Sequence, residues 1–111
     1  PETPRPAVTA PTLPAPVEKV MRDRVATTQI LREWTAPGVT DPENVQLDLA
    51  MAILGGLGSS RLDNALVRGD EIAVAASAAQ QSHENISFIE ISARVKPGVD
   101  TARVAQRLDK E

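Results

Sequence analysis

His83 is the one histidine in the sequence, and Glu84 stands beside it. A histidine next to an acid invites a metal or acid-base reading. Catalytic zinc, however, takes three protein ligands held on rigid elements, and the chain has neither a second histidine nor a cysteine to supply them. The pair lies in the polar run Ser82-His83-Glu84-Asn85, which reads as a solvated turn. Gly55-Gly56-Leu57-Gly58, followed by Ser59-Ser60-Arg61, has the composition of a phosphate cradle ahead of a helix start. It lacks the lysine of a P-loop and does not follow a strand, as a dinucleotide fingerprint must. Its glycines are therefore expected to permit tight reversal and close packing between two helices. Ser60 has no histidine beside it and is expected to cap a helix rather than attack a substrate. Arg61 is expected to orient structure by binding a carboxylate or loop carbonyls. Residue by residue, the chain supports no catalytic residue and no metal ligand.

The elements that hold these residues must fit a small domain. At 111 residues the chain suits one domain, since domains commonly run to about 100–150 residues. Six of the nine prolines (Pro1, Pro4, Pro6, Pro11, Pro14 and Pro16) fall in the first sixteen residues, which excludes helix and sheet there and favours an extended arm. Residues 1–16 thus read as a linker and residues 17–111 as the folded domain. Trp34 and Phe88 are the only aromatic residues, whereas alanine occurs 16 times, so the core must be thin, aliphatic and built on close backbone approach.

The net charge of −3, with both signs interspersed, makes nucleic acid and anionic membranes unlike partners. No apolar run approaches the roughly 20 residues of a membrane span, and no stretch of these 111 residues reads as a signal peptide. Absence of cysteine is compatible with an extracytoplasmic, periplasmic origin but does not show it. A chain that begins at Pro1 rather than methionine is expected to be an excised or processed piece.

In order along the chain, Val17–Asp23 could form a short extended segment, and Val25–Trp34 is expected to be the first strand, with Ala26, Thr28, Ile30 and Trp34 on one face. Residues 35–40 read as a loop. Asp41-Pro42-Glu43 starts a helix with a side-chain cap, a proline at the first position and an acid near the positive dipole end. Val45, Leu49, Ala52 and Ile53 form the stripe expected to face the sheet, and Gly55-Gly56 is expected to end the helix in a left-handed cap. Ser59 or Ser60, with Asp63 in the reciprocal position, is expected to cap a second short helix through Leu62 and Leu66, closed by Gly69.

Glu71–Gln80 is alanine-rich and by propensity alone favours a helix. Its place between Gly69 and a polar turn, ahead of the clear alternation of Ile86–Val95, makes a strand the better reading, paired with that run as a hairpin. Ile72, Val74, Ala76 and Ala78 would share one face. Lys96-Pro97-Gly98 ends the hairpin, and Asp100 caps a last helix whose entry Val99 staples to Val104, with Ala105 and Leu108 continuing the apolar face. No glycine or proline stop follows, so the C-terminus reads as a cut. The expected fold is α+β, a two-layer sandwich in the order strand, helix, helix, strand, strand, helix, with Ile86–Val95 the most buried strand. The proline arm is expected to lie on its own sheet or on a second copy, giving a homodimer, with Val8, Leu13 and Val17 as anchors.

The junction resembles the pattern Leu-Gly-Gly-Gly-x-Ser-Ser-Arg-Leu of the pitrilysin or insulinase family of zinc metallopeptidases, the inverzincins. It matches at Leu54, Gly55, Gly56, Ser59, Ser60, Arg61 and Leu62, with Leu57 in place of the third glycine and Gly58 at the variable position. The Asp41-Pro42 helix start, the Asp70-Glu71-Ile72-Ala73 lead and Lys96-Pro97-Gly98-Val99 agree in order, so the resemblance covers residues 17–111.

In that family zinc is held by an inverted His-x-x-Glu-His helix and a distant glutamate, none of which this chain contains. The chain therefore resembles the family's second, non-catalytic domain, which helps enclose the substrate chamber, after a proline-rich interdomain arm. Some members use an arginine and a tyrosine from that domain; here those places fall at Val67 and Val74, so that accessory role does not carry over. The resemblance implies zinc in a catalytic domain of the parent or of a partner subunit, and peptides as the whole enzyme's substrate. Two other readings stand beside it: a domain of a catalytically inactive relative, such as a scaffold or processing-complex core subunit, and a free-standing regulatory module.

Overall fold

Ile89, Ile91, Ala93 and Val95 alternate with polar residues, and this two-residue period makes their run the middle strand of the sheet. The computed structural model describes residues 3, 4, 6–20 and 23–111. Its elements are β1 (Gln29–Pro37), α1 (Pro42–Met51) with a π-type continuation (Ala52–Gly56), a second π-type helix (Asp63–Gly69), β2 (Ala73–Gln81), β3 (Ile86–Val95) and α2 (Thr101–Lys110). The strands form one antiparallel sheet in the order β1-β3-β2. Leu62, Leu66, Val104 and Leu108 from the helices share one core with Ala73, Ala78, Ala93 and Val95 from the sheet. This is the expected α+β arrangement with the expected order of elements. The core holds no ring: Trp34 is 49% and Phe88 37% exposed.

Both helix starts follow their sequence signals. Asp41 accepts a hydrogen bond from the Glu43 amide at 2.9 Å, and Asp100 accepts one from Ala102 at 3.0 Å. Val99 and Val104 both pack into the core, as a staple requires. Gly98, in the turn before α2, has φ +84°, a conformation that costs an L-residue about 1–2 kcal/mol. Gly98→Ala is accordingly expected to lower stability by about 1 kcal/mol in urea unfolding, with the slope unchanged.

Several local expectations are corrected. The first strand begins at Gln29 rather than Val25 and runs through Thr35 to Pro37, so part of the expected loop is strand. Ala26 lies outside it; Thr28 contributes only its carbonyl, which accepts from Val95 at 2.9 Å. Pro37 can end this strand because β1 is an edge, where a missing N–H costs no ladder bond. Residues 17–20 and 23–25 form no strand and are exposed, and the rest of the expected extended segment lies outside the described residues. In the arm, Val8 and Ala10 border a groove of about 310 Å³ with Thr35, Ala36, Pro37, Asn85 and Ile86, whereas Leu13 and Val17 are each 77% exposed and anchor nothing.

In β2 the alanine run is indeed a strand, but an irregularity in register between Ala73 and Ala75 sets Val74 apart. Ala73 pairs with Val95 and Ala76 with Ala93, while Val74 is half exposed and does not share a buried face with Ile72, Ala76 and Ala78. Pairing with β3 overrides alanine's helix propensity, because only side chains this small let a helix approach the sheet backbone.

Candidate functional site

The glycine junction is positioned by the end of α1 and the start of the second π-type helix. The α1 stripe expected to face the sheet points the other way: Val45, Leu49 and Ile53 are 70%, 63% and 53% exposed. The face toward the sheet is instead Asn44, Leu47, Met51 and Leu54, ending in Gly55. The reason is Gly55 itself. A Cβ placed there would lie 2.6 Å from the Ser77 carbonyl carbon and 2.8 Å from the Ala78 Cβ, with the Ala78 nitrogen nearer still. Glycine is the one residue that lets the helix end sit on β2, and this contact fixes the helix rotation.

The expected left-handed cap is absent. Leu57, which follows the helix, is extended at φ −117° and ψ 153°, and among the described residues the positive φ values belong to Glu71 and Gly98. Gly56 has ordinary contact distances from 3.6 Å, and Gly58 has nothing within 4 Å of a would-be Cβ. The expected capping box is also absent. Ser60 is buried and its carbonyl accepts the Asn64 amide at 3.0 Å, but its hydroxyl has no partner. Asp63 pairs with Arg68 at 2.7 Å instead of reaching back. The Ser59 carbonyl accepts from the Asn64 side chain at 2.9 Å, and that of Gly58 from Arg68 at 2.7 Å. Both carbonyls are thereby drawn into holding the loop.

Arg61 binds a carboxylate, as expected: Glu111, at 3.2 Å. Glu111 also pairs with Arg107, which reaches Asp70 at 2.7 Å. The chain of charges Asp70–Arg107–Glu111–Arg61 thus ties α2 to both ends of the second π-type helix. Hydrogen bonding from Arg107 and then Arg61, against the opposing effect of burial, holds the Glu111 carboxyl below its ordinary value of 4.5. A carboxyl depressed in the folded state stabilises fully above its unfolded pKa, and that increment is lost as pH falls below 4.5 through the folded value. Glu111→Gln is expected to flatten the acid limb of a stability-versus-pH curve and to leave the slope above pH 6 as it was, measured by urea unfolding at each pH.

The sequence reading missed a polar plug at the other end of α1. Asn44, 4% exposed, donates to the Pro37 carbonyl at 2.8 Å and the Ser87 hydroxyl at 3.0 Å, and accepts from Ser82 at 3.2 Å. The Ser87 hydroxyl also accepts from the His83 amide at 3.2 Å. The signal was present as polar residues at inward positions of α1 and β3, which buried backbone ends make intelligible only once the fold is known. His83 itself is exposed in the hairpin turn, its ring edge-on to Phe88 at 5.9 Å between centroids.

The arrangement brings Leu54, Gly55, Ser60, Arg61 and Leu62 into helix–sheet and helix–helix contact. Among the described residues the Ser60 hydroxyl has no hydrogen-bond partner. Among the described residues no group of three or more His, Cys, Asp or Glu side chains gathers where an ion could bind, and no helix is long and apolar enough to cross a membrane. Dialysed chain is expected to retain less than about 0.1 equivalent of zinc by elemental analysis, since affinity needs several converging ligands.

The family model for the peptidase M16 inactive domain matches residues 1–111. Among solved structures the chain is similar to a protease from Helicobacter pylori, with a TM-score of 0.73 and 20% identity over 78% of this chain. It is also similar to the inactive peptidase domain of a candidate zinc protease from Bordetella parapertussis, with a TM-score of 0.69 and 27% identity over 81% of this chain. The chain spans 21% of the first protein and 49% of the second. No curated protein matches it in sequence.

Proposed function

The chain belongs to the family of peptidase M16 inactive domains, and on that premise we propose that it is a non-catalytic domain of a zinc-dependent peptidase, helping to enclose the chamber in which peptides are hydrolysed. The observation that carries this reading is the junction. Gly55 packs its backbone against β2, Ser60 is buried, and Arg61 pairs with Glu111, which supports a structural role for these residues. Leu54, Gly55, Gly56, Ser59, Ser60, Arg61 and Leu62 then serve as a structural motif. Residues 1–16 act as the arm joining this domain to its neighbour, and residues 17–111 as the domain proper. Zinc belongs to the catalytic domain of the same parent or of a partner subunit.

The sheet face away from the helices offers a surface for this role. Leu31, Glu33 and Thr35 of β1 stand in register there with Ser92, Glu90 and Phe88 of β3, and Ser77 of β2 bonds to Ser92 at 2.9 Å. Ser77→Trp combined with Ser92→Trp in the whole zinc peptidase is expected to slow peptide hydrolysis at least about threefold while the zinc content stays constant. Unchanged kinetics would remove this face from the reading. Absence of an inverted His-x-x-Glu-His motif in every chain of the parent assembly would favour the inactive scaffold instead.

A further inference from the structure

The net charge of the chain is −3, yet the fold gathers cations along one side of α2. Arg103, Arg107 and Lys110, spaced by four and then three residues, share a helix face. They line a groove of about 240 Å³ with Gln106, the buried Ile72 and a single acid, Asp70. Arg107 is already committed to Asp70, at 2.7 Å, and to Glu111. Among the described residues the side chains of Arg103 and Lys110 form no ion pair and no hydrogen bond, and both residues are exposed. The helix itself does not account for the pair. A cation in the last turn, such as Lys110, is favoured by the helix dipole, whereas Arg103 stands in the first turn of Thr101–Lys110, near the positive end, where a cation is disfavoured.

We infer that this groove is a docking site for an extended acidic segment of a partner polypeptide, carrying two carboxylates three residues apart. An α-helix rises about 1.5 Å per residue, so Arg103 and Lys110 stand about 10 Å apart along α2. One carboxylate, or one phosphate, does not bridge that distance. A polyproline-type segment advances about 3.1 Å per residue with three residues per turn, so acids at its first and fourth positions stand on one side about 9 Å apart and meet both cations. Between them Ile72 offers an apolar contact, and the Gln106 amide can donate to the segment's backbone. Arg103 can bind its carboxylate through two parallel N–H groups, and Lys110 holds the other as a point charge. The site lies on α2, away from the open sheet face, and holds whether or not the chain helps enclose a chamber.

The test is an NMR titration of the full chain, at low salt, with the capped peptide Pro-Glu-Pro-Pro-Glu-Pro and, separately, with inorganic phosphate. The proposal expects saturable shifts of the α2 amides with the peptide and binding at least about tenfold weaker with phosphate. Arg103→Gln with Lys110→Gln is expected to weaken the peptide at least about tenfold, and because both positions are exposed, circular dichroism of that variant should match the wild type. Lys19→Gln with Arg94→Gln, which removes the same charge from other exposed positions, is expected to leave the affinity within about twofold. No saturable shift, equal weakening by the two double variants, or phosphate binding as tightly as the peptide would each overturn it.

Discussion

Gly55→Ala is expected to destabilise the domain by at least about 3 kcal/mol, while Gly56→Ala and Gly58→Ala, one and three residues away, stay within about 1 kcal/mol of wild type. The difference lies in what the added methyl meets. At Gly55 it runs into the backbone of Ser77 and Ala78 in β2, and backbone of a paired strand cannot step aside as a flexible side-chain tip can. At Gly56 the nearest atoms sit at 3.6 Å, and at Gly58 there is open space. Gly56 also lies in a helical turn, where alanine gains up to about 1 kcal/mol over glycine. Urea unfolding of the three variants reads this directly. Equal losses at all three would mean that the glycines serve loop conformation and not close approach.

The second large effect is in the core. Leu66 is fully buried, in a cluster of nine residues that includes three alanines. Leu66→Ala is expected to cost about 3–5 kcal/mol, because the small neighbours are backbone-limited and cannot collapse into the space. Against a total stability of about 5–15 kcal/mol, that removes a large share and brings the thermal midpoint down steeply. Val74→Ala, at the half-exposed bulge position, is expected to cost less than about 1 kcal/mol. A Leu66→Ala loss as small as that of Val74→Ala would show the core to be differently packed.

These two sites show which parts of the fold could be read beforehand. The β3 strand was legible because period-two alternation leaves little choice of face, and its range, Ile86–Val95, is the one expected. Both Asp caps were legible because the cap bond is local. The rotation of α1 was not. Val45, Leu49 and Ile53 are its most apolar stripe, but a helix with apolar residues on both sides gives no single answer, and the deciding contact is Gly55 on Ala78, remote in sequence. The register shift at Val74 and the widening of two helix ends to π-type turns escaped for the same reason. Asp70 donates its amide to the Ala65 carbonyl, five residues back, and no local signal distinguishes that from a four-residue bond. At the junction, the expected Ser60 capping box is absent because Asp63 is drawn to Arg68.

The reading of this chain as a domain that shapes a peptidase without supplying its chemistry is tested most directly by activity in the whole enzyme. Peptide hydrolysis would be compared for the intact protein, for Ser60→Ala combined with His83→Ala, and for a form lacking this domain. Replacing a buried hydroxyl that has no partner should leave folding intact, and removing an exposed turn histidine should do the same. The account predicts kcat within about twofold of the intact enzyme for the double variant, and a loss of at least about a hundredfold without the domain. A double variant that folds, keeps its zinc and is inactive would contradict it, as would a domain-less enzyme of undiminished activity.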